Sequence, residues 1–182
     1  MSEALEPIKT AVRENDLDEA RILLGDARIA EQINDGWFEF GRPPLVVAPS
    51  TEMADLLMDM GADLANLSAW WAPGFWLYQT RTEVAEHLVA RGASLSAHAA
   101  SALGMVGHLR SILEDDPAVV NAPGGDGGRP LHFARNVLIA QALIDCGATL
   151  DPRDEDHRST PAQWHVGERP EVTRLLLEGG AD

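Results

Sequence analysis

Residues 50–63 read STEMADLLMDMGAD, and three further stretches align with them without a gap. These are RTEVAEHLVARGAS at 81–94, NVLIAQALIDCGAT at 136–149 and RPEVTRLLLEGGAD at 169–182. The fourth column of the alignment holds Met53, Val84, Ile139 and Val172, and the eighth holds Leu57, Leu88, Leu143 and Leu176. Two positions four apart share one face of a helix, so each stretch predicts a helix with an apolar stripe. A ninth column, Met58, Val89, Ile144 and Leu177, is apolar as well. Each stretch then reaches Gly-Ala, with Gly61, Gly92, Gly147 and Gly180 in register. Glycine suits the left-handed backbone that stops a helix.

The spacing of these glycines is that of a repeat. Gly61 and Gly92 are 31 residues apart, Gly147 and Gly180 are 33 apart, and the 55 residues between Gly92 and Gly147 leave room for a degenerate copy. SAHAASALGMVGHLRSILEDDPAVVN (96–121) reads as that copy, two short helices broken at Gly107 with an irregular exit. EALEPIKTAVRENDLDEARILLGD (3–26) reads as another pair, broken at Asn15-Asp16. A helix pair this short does not bury its stripe alone, so neighbours must stack into a continuous core.

The openings of these pairs carry a resemblance. GRPLHFA (128–134) has Pro130, Leu131, His132 and Ala134 where the ankyrin repeat family has its Thr-Pro-Leu-His-x-Ala opening, with Arg129 in place of threonine. STPAQW (159–164) keeps Thr160 and Pro161, and PPLVVA (43–48) keeps Pro44, Leu45 and Ala48. Most of the chain therefore resembles the ankyrin repeat family. The resemblance implies an all-α fold, an ankyrin-type α-solenoid of stacked helix pairs with short hairpin loops, in one domain over 1–182. Approximate repeats would be 1–34, 35–66, 67–95, 96–122, 123–154 and 155–182. It further implies that His132 bonds the loop backbone, and that hairpins and first helices line the concave binding face.

Composition bounds the function. Hydrophobic residues make up 45% of the 182 residues, enough for a packed core. The net charge of −15 argues against nucleic acid or an anionic membrane as partner and favours a basic protein. A single cysteine, Cys146, rules out an internal disulfide; its place beside a core column predicts a buried, inert thiol. The N-terminal stretch MSEALEPIKTAVREND has no apolar core of a signal peptide, and no run is long enough to span a bilayer. A cytoplasmic protein is the expectation.

The third repeat departs from the pattern. Its opening is replaced by SAWWAPGFWLYQT (68–80), which holds three of the five tryptophans and the one tyrosine. Trp70, Trp71, Phe75, Trp76 and Tyr78 here, with Trp37, Phe38 and Phe40 in the hairpin before repeat two, are the candidate partner-binding residues. Large aromatics dominate interface hot spots. No basic residue lies between Arg42 and Arg81, whereas Glu52, Asp55, Asp59 and Asp63 do, which again fits a basic partner. The competing reading is that these rings repair the packing of an atypical repeat.

Catalytic chemistry has little support. DPRDEDHRSTPAQWHV (151–166) gathers Asp154, Glu155, Asp156, His157 and His165, which reads more readily as a solvated hairpin than as a metal site. PGGDGGRP (123–130) lacks the lysine and hydroxyl of a phosphate loop and predicts a flexible hairpin. The expectation is a non-catalytic protein-interaction module without cofactor or metal. The alternatives are a small-molecule receptor built on the aromatic cluster and a self-associating structural protein.

Overall fold

The four aligned stretches all form helices, Thr51–Asp59, Thr82–Ala90, Val137–Asp145 and Pro170–Glu178. The structure, a computed structural model, describes residues 3–67 and 81–182. Every residue of the fourth and eighth columns is buried, from Met53 and Leu57 at 0% exposure to Val84 at 4%. The ninth column is different: Met58, Val89 and Ile144 are half-buried and Leu177 is exposed. A residue one step past the stripe turns to its flank, as the helical period requires.

The helix ends follow the glycines. Gly61, Gly92, Gly147 and Gly180 have φ of +101°, +102°, +88° and +97°. At each, the following alanine N–H reaches back to the carbonyl of the eighth-column leucine, Ala62 to Leu57, Ala93 to Leu88 and Ala148 to Leu143 at 2.9 Å, Ala181 to Leu176 at 3.0 Å. This closure satisfies carbonyls that the helix end leaves open. A β-carbon at these four positions would meet nothing, so backbone conformation rather than space demands glycine there.

The chain forms two compact bodies, Met1–Ser94 and Leu95–Asp182. In the first, Glu6–Glu14 and Leu17–Leu24 pair around a left-handed Asn15, with the Asp16 carboxylate capping the second helix through Glu19 N–H at 3.0 Å. The short helix Pro44–Val47, buried throughout, precedes Thr51–Asp59, whose N-cap is Ser50. Thr51–Asp59 in turn packs on Thr82–Ala90. Ile8, Val12, Leu24, Leu45, Met53 and Leu57 are buried in this body.

In the second body, Ala97–Leu103 pairs with Val106–Asp115, and a 3₁₀ turn over Pro117–Asn121 is the irregular exit. The break between the paired helices falls at Gly104, with φ of +77°, and not at Gly107, which lies inside the second helix. Gly104 supplies the left-handed residue; Gly107 is merely tolerated. The opening Pro130–Phe133 is a 3₁₀ turn followed by Val137–Asp145. Pro161–His165 is a short α-helix packed on Pro170–Glu178. Its N-cap Thr160 and Gln163 bond each other's backbones, at 3.4 and 2.9 Å. Leu109, Leu113, Leu131, Ile139, Leu143, Val172 and Leu176 belong to one core cluster. Cys146 is exposed, contrary to the buried thiol expected: it caps the Val137–Asp145 helix, where the stripe has already ended.

No strand occurs among the described residues, apart from one isolated bridge between Phe38 and Arg42. No helix among them is long and apolar enough to cross a membrane.

Candidate functional site

Two glycines shape the hairpin before repeat two. Gly41 is left-handed at φ +69°, and Gly36 lies so close to the Gly41 backbone that a β-carbon would sit 2.6 Å from its carbonyl oxygen. Phe38 N–H donates to Arg42 O at 3.0 Å and closes the turn. The turn directs two of the candidate rings inward. Trp37 is 2% exposed and Phe38 5%. The Arg13 guanidinium lies 5.0 Å from the centre of the Phe38 ring and ion-pairs with Glu39 at 3.2 Å, while Arg42 also pairs with Glu39 at 3.0 Å. Trp37 and Phe38 are thus packing residues of the first body and do not form part of an open aromatic patch. Among the described residues the buried indole N–H of Trp37 has no hydrogen-bond partner. The Phe40 side chain, and Trp70, Trp71, Phe75, Trp76 and Tyr78, lie outside the described residues.

The acidic neighbours of that stretch are placed by two helices. Glu52, Asp59 and Asp63 are exposed before it, and Glu83 and Glu86 are exposed after it. Asp55 is taken up locally: its carboxylate meets His87 Nε2 at 2.8 Å and the Arg91 guanidinium. Arg81, the first basic residue after the aromatics, turns its guanidinium to the carbonyls of Val47 and Ala48 at the end of the Pro44–Val47 helix. Burial pushes this guanidinium below its usual range, with Arg42 acting in the same direction. The exposed groups bordering the stretch on its own helices are therefore mainly carboxylates.

The histidines and the acidic hairpin of the second body do structural work. His132 Nδ1 accepts from Arg129 N–H at 2.9 Å, and its Nε2–H donates to Ser159 O at 3.2 Å, tying one opening to the next hairpin as expected. Asp154, 2% exposed, accepts from the N–H groups of His157 and Ser159 at 2.9 and 2.5 Å and from the His157 ring at 3.1 Å. Burial opposes its charge most, but these donors together hold its carboxyl below the usual range. His165 points elsewhere, donating to Leu131 O at 3.0 Å, so the 151–166 carboxylates and His165 do not converge. Among the described residues no group of three or more His, Cys, Asp or Glu side chains is arranged to hold a metal ion. The glycine-rich loop is a bonded turn, with Gly124 N–H on Gly128 O at 2.7 Å and a buried Asp126 accepting from Gly128 N–H at 3.0 Å.

Two features escaped the sequence reading. Asn34 donates to Gly61 O at 3.0 Å and accepts from Asp63 N–H at 2.7 Å. Asn121 does the same with Gly147 O and Thr149 N–H, at 3.0 and 2.9 Å. Each asparagine clamps the Gly-Ala exit of the following helix pair. A ring cluster also forms around Trp164, which meets Phe133, His132 and His157 edge-on at 5.1 to 6.0 Å. The 26–27-residue offset of each asparagine from its glycine is the one sequence signal for the clamps.

No family model matches the sequence, and no curated protein matches it. Among solved structures 204 chains match. One is the crystal structure of an ankyrin repeat protein, 21% identical over the whole of both chains with a TM-score of 0.53. At that identity the likeness speaks to fold alone, and it agrees with the glycine-closed helix pairs and the Pro-Leu-His opening. The chain has the ankyrin repeat fold, an all-α solenoid of helix pairs.

Proposed function

We propose that the protein is a non-catalytic interaction module that binds a basic protein partner through its concave hairpin and first-helix face, at the aromatic segment 68–80. The observation that supports this reading most is the placement of carboxylates: Glu52, Asp59, Asp63, Glu83 and Glu86 are exposed on either side of a segment with three tryptophans and a tyrosine. Trp37 and Phe38 drop out of the surface because they are buried. What remains is Trp70, Trp71, Phe75, Trp76 and Tyr78, with carboxylates suited to Lys or Arg side chains and rings suited to cation–π contact. Long-range attraction from a chain of net charge −15 speeds such an encounter.

The test is capture from lysate of the source cells by immobilised wild type, beside a Trp70→Ala/Trp71→Ala/Trp76→Ala variant with wild-type helical content and a cooperative melt. The expected result is a basic protein retained by wild type and lost with the variant. Retention by both rejects the aromatic segment as the surface.

A further inference from the structure

We propose that the Leu95–Asp182 body is an acid-opened element: proton uptake by three buried imidazoles, His98, His132 and His165, loosens it between about pH 7 and pH 5 while the Met1–Ser94 body stays closed. Five of the six histidines lie in the second body, and the only one in the first is His87. His87 is half-buried, with Nε2 2.8 Å from the Asp55 carboxylate. The three imidazoles of the second body are 34 and 33 residues apart, one repeat each, and are 6%, 1% and 0% exposed.

Their hydrogen bonds tie neighbouring repeats, and those of His132 require the neutral ring. His98 Nε2–H donates to Ala122 O and Gly128 O at 3.0 and 3.2 Å, holding the exit of its own pair and the next hairpin. His132 Nδ1 must be bare to accept Arg129 N–H, while Nε2–H holds Ser159 O. His165 Nε2–H holds Leu131 O, and its Nδ1 is buried with no partner among the described residues, so a proton there would have no acceptor among them. The charged groups facing these rings do not reverse the balance. Asp126 favours and Arg129 opposes charge on His98. Asp154 and Asp126 favour it on His132. Arg169 and His132 itself oppose it on His165, and Glu168 favours it. Desolvation outweighs these and the bonds to carbonyls, and holds all three rings below the ordinary imidazole range.

The sign follows from linkage. A histidine held low in the closed state binds fewer protons there than in the open chain. Closure is therefore unaffected above the ordinary imidazole value and is lost as pH falls below it. Each such residue steepens the opening constant by up to about tenfold per pH unit, and three together by up to about a thousandfold. His157 and His108 are exposed.

Hydrogen exchange of the full chain, read by peptide at pH 7, 6 and 5 and corrected for intrinsic exchange, tests the proposal. Opening of peptides from 97–115 and 137–178 should rise at least about a hundredfold from pH 7 to pH 5, with 6–24 and 51–59 changing less than about threefold. Equal change in both bodies, or none in the second, overturns it. His132→Gln can keep the bond from Arg129 N–H, because Gln163 holds the corresponding place by accepting Thr160 N–H at 2.9 Å. It should make the opening up to about tenfold less steep per pH unit, and an unchanged steepness also overturns the proposal. A His98→Gln/His132→Gln/His165→Gln chain should lose the acid response altogether; if it does not fold at pH 7, the single variant decides.

Discussion

At the scale of single residues, backbone conformation decides more than contacts do. Gly147 has open space around its α-carbon, yet φ of +88° makes any side chain there strained. Gly147→Ala should destabilise the second body by about 1–2 kcal/mol with no clash to explain it. Arg158 is the converse, a non-glycine residue at φ +55° in the hairpin before Thr160. Arg158→Gly should relieve up to about 1 kcal/mol. Urea midpoints of the two variants should move in opposite directions. The two rings of the hairpin at 37–38 teach the same lesson. An aromatic pair in a loop reads as exposed, but the close approach of Gly36 to Gly41 folds the turn so that both rings enter the core.

At the scale of elements, the apolar stripe has a sharp edge. Leu143 is fully buried, and its neighbour Ile144 is half-buried on the flank. Leu143→Ala should destabilise by about 2–5 kcal/mol and Ile144→Ala by clearly less, as thermal or urea unfolding would show; equal effects would mean that the stripe is wider than drawn. Neighbouring pairs are also joined by polar clamps. Asn121 bonds the Gly147 carbonyl, the Thr149 N–H and the Thr149 hydroxyl. Asn121→Ala should cost about 1–3 kcal/mol in unfolding free energy, with faster hydrogen exchange at Thr149 as the local sign. The helices and their glycine stops were legible because both depend on residues close in sequence. The clamps were not, since each asparagine bonds a backbone 26 to 29 residues away and leaves no local pattern.

At the scale of the whole molecule, net charge of −15 with exposed carboxylates bordering segment 68–80 predicts partner binding that weakens with salt. Capture of the partner should fall when salt rises from about 0.05 M to about 0.5 M, since exposed charges are screened within about 10 Å at 0.1 M. Salt-independent capture would point to the rings alone. The sequence by itself determined the helix stripes and the Gly-Ala stops and, through the ankyrin resemblance, the His132 bond to the loop backbone and the fold. Each rests on periodicity, on a left-handed backbone or on a motif a few residues long. Tertiary structure alone decided that Trp37 and Phe38 are buried, that Cys146 is exposed, and that His98 and His165 are buried as His132 is. It also put the break of the fourth pair at Gly104, not at Gly107. Burial is set by what neighbouring elements place over a side chain, and which of two nearby glycines turns left-handed is set by how the paired helices must meet. Neither is written in the residues next to them.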